Sequence, residues 1–173
     1  MGFIHYEINT PAWKSINEEI EWGAESLAKY QNFVRTSINS INSAMDCADL
    51  ALTLLVRFAH KEKRRLVVQK LDSSHYGFSP GFFEARVRRS IGSTHFPNIT
   101  FQTTGWGPGD LLVYPPHPTY GHVRVLFDRH ENDKVGYYSG DLPAIIPVYR
   151  IEDYSKLILN AVNNAPRRFN QFK

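Results

Sequence analysis

The chain has 173 residues, enough for one domain that buries its own core without a disulfide or a structural metal. A single cysteine excludes an internal disulfide and a Cys-rich zinc site, and the histidines lack H-x-x-x-H spacing, so neither metal nor other cofactor is expected. A formal charge of +3 is a mild basic excess that suits an anionic partner such as a cell-wall polymer, a nucleic acid or an acidic surface, and no stretch approaches 18 apolar residues, so no membrane insertion is expected.

The N-terminal segment to Pro11 lacks the basic and apolar parts of a secretory signal, so the protein is expected to be made in the cytoplasm without one. From Ala12 to Tyr30, the residues Trp13, Ile16, Ile20, Ala24 and Leu27 keep helical spacing opposite Glu18, Glu19 and Glu21. A second helix is expected around Phe33, Val34, Ile38 and Ile41, weakened by its Ser and Asn residues.

Asp46-Cys47 then opens an apolar run, with Asp46 as N-cap and Leu50, Leu54, Leu55 and Phe58 on one stripe. Asp49, Thr53, Arg57 and His60 make its one narrow polar stripe, so the helix is expected to be central. Cys47, the only cysteine, stands at the helix start, where unpaired N–H groups and the helix dipole favour the nucleophilic thiolate. Lys61 to Arg65 reads as a solvated helix end, and no nucleic-acid partner is expected from it.

A short strand or helix continuation at 66–71, a loop at 72–80, a helix from Phe82 to Ile91 and a strand at 99–102 follow. After Gly105 the pattern is β. A strand from Asp110 to Tyr114 is stopped by Pro115-Pro116. His122 to Asp128 alternates, with Val123, Val125 and Phe127 on one face and His122, Arg124, Leu126 and Asp128 on the other. Asn132-Asp133 turns the chain, Val135 to Ser139 returns, and Ala144 to Ile151 adds a strand. A helix from Asp153 to Val162 precedes a basic tail, 166–173, expected to be mobile. The layout is α+β: helices first, then an antiparallel meander.

A cysteine nucleophile needs a base. Of the seven histidines, His122 differs from the rest because it opens a well-patterned strand directly after Gly121. Asp46-Cys47-Ala48-Asp49-Leu50 resembles the D-C-S-G-L motif of NlpC/P60 cysteine peptidases and the C-x-D/A-L motif of CHAP amidases. Gly107-Pro108-Gly109-Asp110-Leu111-Leu112-Val113-Tyr114 resembles their P-G-D-L-V-F-F strand, and Gly121-His122-Val123-Arg124-Val125 their G/S-H-V-x-I/V strand. The resemblance covers about residues 45–141; Asp49 stands where NlpC/P60 domains have glycine, and the stretch from Cys47 to Pro108 is longer than theirs.

The resemblance implies a single papain-like domain over 1–173: a helical part at 1–44, a catalytic core at 45–151, and a helix with basic tail at 152–173. It implies Cys47 as nucleophile and His122 as base, with Asp141 as orienting residue and Asp133, Ser139, Tyr137 or Tyr138 as alternatives. It further implies amide hydrolysis in peptidoglycan stem peptides. Without a signal peptide, such an enzyme is expected to act as a lysin or as a type VI secretion effector in the periplasm of a target bacterium, with secretion machinery and a cognate immunity protein as partners. The competing expectations are a papain-like hydrolase of host protein or lipid amides or esters, and a non-catalytic domain that binds through Lys61–Arg65 and Arg167-Arg168.

Overall fold

The computed structural model describes residues 22–76, 80–117, 120–141 and 143–173. Most of the helix expected over 12–30 lies outside that range. Its last turns belong to α1, Ala24–Ser37, which runs without a break through the position where two helices are expected. Tyr30, Phe33 and Val34 are buried at i, i+3 and i+4, and this one stripe carries the helix across Gln31 and Asn32.

Helix α2, Cys47–Lys61, is the central element. Asp46 caps it: the Asp49 N–H donates to Asp46 Oδ1 at 2.7 Å. Such a cap contributes about 1 kcal/mol. Leu50, Leu54, Leu55 and Phe58 are fully buried, and the rings of Trp22, Tyr30 and Phe33 pack around Phe58 at 5.3–5.8 Å between centroids. The polar stripe is not a solvated face. Thr53 is buried, while Arg57 and Asp49 pair with Glu84 and Arg88 of α3, Pro80–Ser90. A hairpin of β1, Val67–Val68, and β2, Leu71–Asp72, follows α2. Asp72 binds Arg65, so one cation of the Lys61–Arg65 run is spent inside the fold.

After the one-turn helix α4, Phe96–Ile99, the chain builds the main sheet. Its strands are β3, Thr100–Gln102; β4, Leu111–His117; β5, Tyr120–His130; β6, Lys134–Ser139; β7, Val148–Asp153; and β8, Arg167–Phe169. The order across the sheet is β3-β8-β4-β5-β6-β7, and every pairing is antiparallel. β4 to β7 form the expected meander. Pro115-Pro116 does not stop β4; the ladder slips between Tyr114 and His117 because proline has no N–H to donate. The last meander strand starts at Val148 rather than Ala144, and Ile145 instead bridges Met45.

The tail contradicts the expectation of mobility. β8 lies between β3 and β4, with Arg167 and Phe169 buried. Arg167 donates to Thr100 Oγ1 and to the carbonyls of Pro97 and Thr100. Arg168 grips the buried carboxylate of Asp110 at 2.7 and 2.8 Å. Both charges are satisfied internally, so the segment packs as a strand.

The sheet has two covered faces. Leu111, Val113, Val123 and Val125 join the core that α1, α2 and α3 build. Leu112, Leu126, Val135 and Tyr137 join a smaller core under α5, Tyr154–Leu159. Arg168→Met would strand the Asp110 carboxylate in the interior. A loss of about 3–5 kcal/mol in urea unfolding is expected; a loss below about 1 kcal/mol would show that the pair does not secure β8.

Candidate active site

Cys47 is the first residue of α2 and is 7% exposed. The backbone N–H groups of Val123, Ala48 and Cys47 itself act on its sulfur in the direction that favours the thiolate. Val123 directly follows His122, so the sulfur rests against the start of β5. The helix-start donors act in the direction expected from the sequence, but they do not win. Burial raises the thiol to about 11, with the Asp46 carboxylate adding to the rise. At neutral pH the resting group is therefore a thiol, which corrects the expectation of a ready thiolate.

His122 sits opposite Tyr114 of β4, with the rings 6.1 Å apart. Alternation turns its side chain to the α5 side of the sheet, whereas Val123 turns to the α2 side, where Cys47 lies. The thiol and the imidazole thus lie near one end of β5 on its two sides, and among the described residues no hydrogen bond joins them. Desolvation by burial lowers the pKa of His122, and Arg124 and Arg150 lower it further, while the Asp141 charge raises it. The neutral ring is the resting form.

The group in hydrogen-bond reach of the imidazole is Ser139, with Oγ 3.2 Å from Nε2. The Ser139 hydroxyl donates to the Gly140 carbonyl at 2.7 Å. Its oxygen is then free to accept, so Nε2 carries the proton and Nδ1 keeps the lone pair. With the hydroxyl so oriented, the lone pair of the ring lies on Nδ1. Ser139 is not poised as a nucleophile, because its own proton points away from His122. Asp141 lines the same cavity and acts on the ring through its charge. Asp133 lies in the tight turn at the other end of the hairpin, with φ 56°. Tyr137 lines the cavity on the His122 side, and Tyr138 packs on the opposite core.

Two contacts pull the β6 end onto the start of α2. Met45 and Ile145 exchange backbone hydrogen bonds of 2.9 and 3.3 Å. Gly140 packs so close to the Met45 and Asp46 carbonyls that a Cβ would stand 2.5 Å from each. No other residue type fits there. Sequence reasoning did not single out Arg124, Arg150 or Gly140. Their only signal is register: the cavity becomes visible once β5, β6 and β7 are aligned. Among the described residues, no group of three or more His, Cys, Asp or Glu side chains is arranged to hold a metal.

Comparison with family models, curated proteins and solved structures finds no match for this chain. A buried thiol reacts slowly. Alkylation of Cys47 by iodoacetamide is expected to rise with pH to a midpoint near 11. A midpoint at or below the free value of about 8.5 would show that the helix start overrides burial.

Proposed function

We propose that this protein is a papain-like cysteine hydrolase that cleaves amide bonds, with Cys47 as nucleophile and His122 as base. One observation supports this reading above the others: the Val123 N–H acts on the Cys47 sulfur, one residue from a histidine that has Ser139 within hydrogen-bond reach. The motif resemblance around Cys47, Gly109-Asp110 and His122 favours peptidoglycan stem peptides as the substrate class. It also favours an exported lysin or type VI effector, with an immunity partner in the producing cell.

In the proposed step the His122 side chain turns about its Cα–Cβ bond towards α2, so that Nδ1 faces the sulfur. The thiol proton moves to Nδ1 as sulfur bonds the amide carbonyl carbon. The C–N bond then breaks and the imidazolium gives its proton to the leaving amine. Water attacks the thioester, losing a proton to Nδ1, and the thiol is regenerated. The N–H groups of Cys47 and Ala48 that now face the sulfur are the nearest donors for the oxyanion. Because thiol and imidazole rest neutral, proton transfer belongs to the attack and not to a preformed ion pair. Protonation of His122 blocks the reaction, so kcat/KM should rise with pH on an acid limb centred below the ordinary histidine value of about 6.5.

The burial of Cys47 also favours a second reading, a non-catalytic binding domain with an inert thiol. Its basic ends are poor candidates for the binding surface, because Arg65, Arg167 and Arg168 are all engaged within the fold. The deciding experiment is digestion of purified sacculi, beside protein substrates, with fragments identified by mass spectrometry. Cys47→Ala and His122→Ala should each abolish cleavage, and the double variant should be no worse than either. Ser139→Ala should lower kcat by roughly ten- to a hundredfold, with unchanged unfolding. Sacculi and proteins left intact by the native protein would leave the binding-domain reading standing.

A further inference from the structure

On the α5 side of the sheet, His122 shares a cavity of about 110 Å³ with Arg124, Tyr137, Ser139, Gly140, Asp141, Ile145 and Arg150. At roughly 30 Å³ per water, it has room for several waters or one carboxylate. Its walls are almost entirely polar, which is unusual for a hollow next to a packed core. Two guanidinium groups reach it from neighbouring strands. Arg124 is held flat between the rings of Tyr114 and Tyr137, each 4.9 Å from its central carbon. Its Nη1 donates to Tyr114 Oη at 3.2 Å and forms an ion pair with Glu152 at 3.9 Å. Its Nε is buried and has no hydrogen-bond partner. A buried donor left unmade costs about 1–3 kcal/mol.

Arg150 pairs with Tyr137 across β6 and β7, which puts it on the same face. Among the described residues no hydrogen bond or ion pair engages it. The acids near the cavity differ in position. Glu152 accepts from the Tyr137 hydroxyl and pairs with Arg124, and Asp141 stands at the His122 side. The cavity thus presents two guanidinium groups, Arg124 ion-paired with Glu152 and the exposed Arg150 with no ion pair of its own, against the single lining carboxylate of Asp141. A neutral polar group would satisfy one donor. A carboxylate supplies two oxygens to a planar fork, which is the geometry guanidinium groups match best.

We propose that this cavity is a carboxylate subsite and that the amides cleaved at Cys47 carry a free carboxylate beside the scissile bond. The second half rests on the hydrolase reading; the first does not. Gly140 and Ile145 line the cavity and touch the residues just before Cys47, so a chain anchored there by its carboxylate has a short path to the sulfur.

The test uses binding as well as turnover. Full-length Cys47→Ala protein with ring-labelled histidine is titrated with N-acetylglutamate α-amide, with N-acetylalanine, and with the neutral N-acetylglutamine α-amide. The first probe carries a side-chain carboxylate and the second a terminal one, so their order tells which source the subsite takes. Saturable shifts of the His122 ring signals are expected with at least one acid, at least tenfold tighter than with the neutral amide. Arg150→Ala should weaken that binding at least tenfold, and Arg150→Lys should restore part of it. Equal affinity for acid and amide, or for native and Arg150→Ala protein, overturns the subsite. Amide cleavage by the native protein without any preference for acidic peptides overturns the substrate assignment and leaves the hydrolase reading intact. Carboxylate binding in a protein that cleaves no amide keeps the subsite and overturns the hydrolase.

Discussion

The site depends on one close approach. Gly140 lies directly against the carbonyl groups of Met45 and Asp46, and the Met45–Ile145 bridge holds the two segments in that position. Asp46 is also the N-cap of α2, so the contact fixes where the helix begins. Ser139 precedes Gly140, and its hydroxyl is oriented by the Gly140 carbonyl. The same few atoms thus set the height of Cys47, the direction of the Ser139 lone pair and, through it, the tautomer of His122. A side chain at position 140 would push these elements apart together, since the obstacle is backbone and cannot rotate away.

Helix starts favour thiolates, yet here the thiol is pushed up to about 11. The difference is a matter of magnitudes. Helix-terminus effects are worth about 0.3–1 kcal/mol at exposed sites. Full burial of an ionisable group shifts its pKa by several units, at about 1.4 kcal/mol each. Cys47 is covered by β5 and carries the Asp46 carboxylate one residue away, so burial dominates. The same physics depresses His122. Both groups are held neutral by a shared lack of water, and both are linked to stability. The fold favours the neutral thiol, a contribution present below the free thiol value and lost as pH rises towards 11. It favours the neutral imidazole too, a contribution lost as pH falls below about 6.5.

What could be read from the sequence follows the range of the forces involved. The α2 helix is legible because its cap, its 3.6-residue stripe and its apolar centre are all local. The β5–β6 hairpin is legible from alternation and from Asn132-Asp133, which both take left-handed φ values of 58° and 56°. The register of β6 against the site end of β5 was not legible, because a bulge decides it. From the turn, His130 pairs with Lys134 and Asp128 with Gly136, but Leu126 pairs with Tyr137. One residue is absorbed at Phe127. Extending the shifted ladder sets Asp141, not residue 142, opposite His122, with Ser139 on the diagonal. β8 was hidden for another reason. Arg167-Arg168 reads as a solvated charge pair until Thr100 and Asp110, 67 and 58 residues earlier in the chain, arrive to satisfy it.

That last pairing also divides the motif resemblance into parts of different weight. Asp110, in the Gly109-Asp110-Leu111 stretch, is a buried structural carboxylate. It receives Arg168 and the Gly107 N–H, and it shapes the turn into β4. Gly109 is required there because it takes φ +91° with Tyr30 and Val34 pressed against its Cα. A P-G-D-L strand is therefore what any sheet needs when it must turn tightly under a helix and anchor a neighbouring strand. It carries no chemistry of its own. Under the proposed hydrolase reading the chemistry falls on Cys47, which is also a member of the hydrophobic core, and on His122. A methyl or a small apolar group would fill the space of the thiol, and a threonine or valine would suit the start of β5. What packing alone does not explain is a thiol and an imidazole placed near one strand end, the imidazole beside two guanidinium groups.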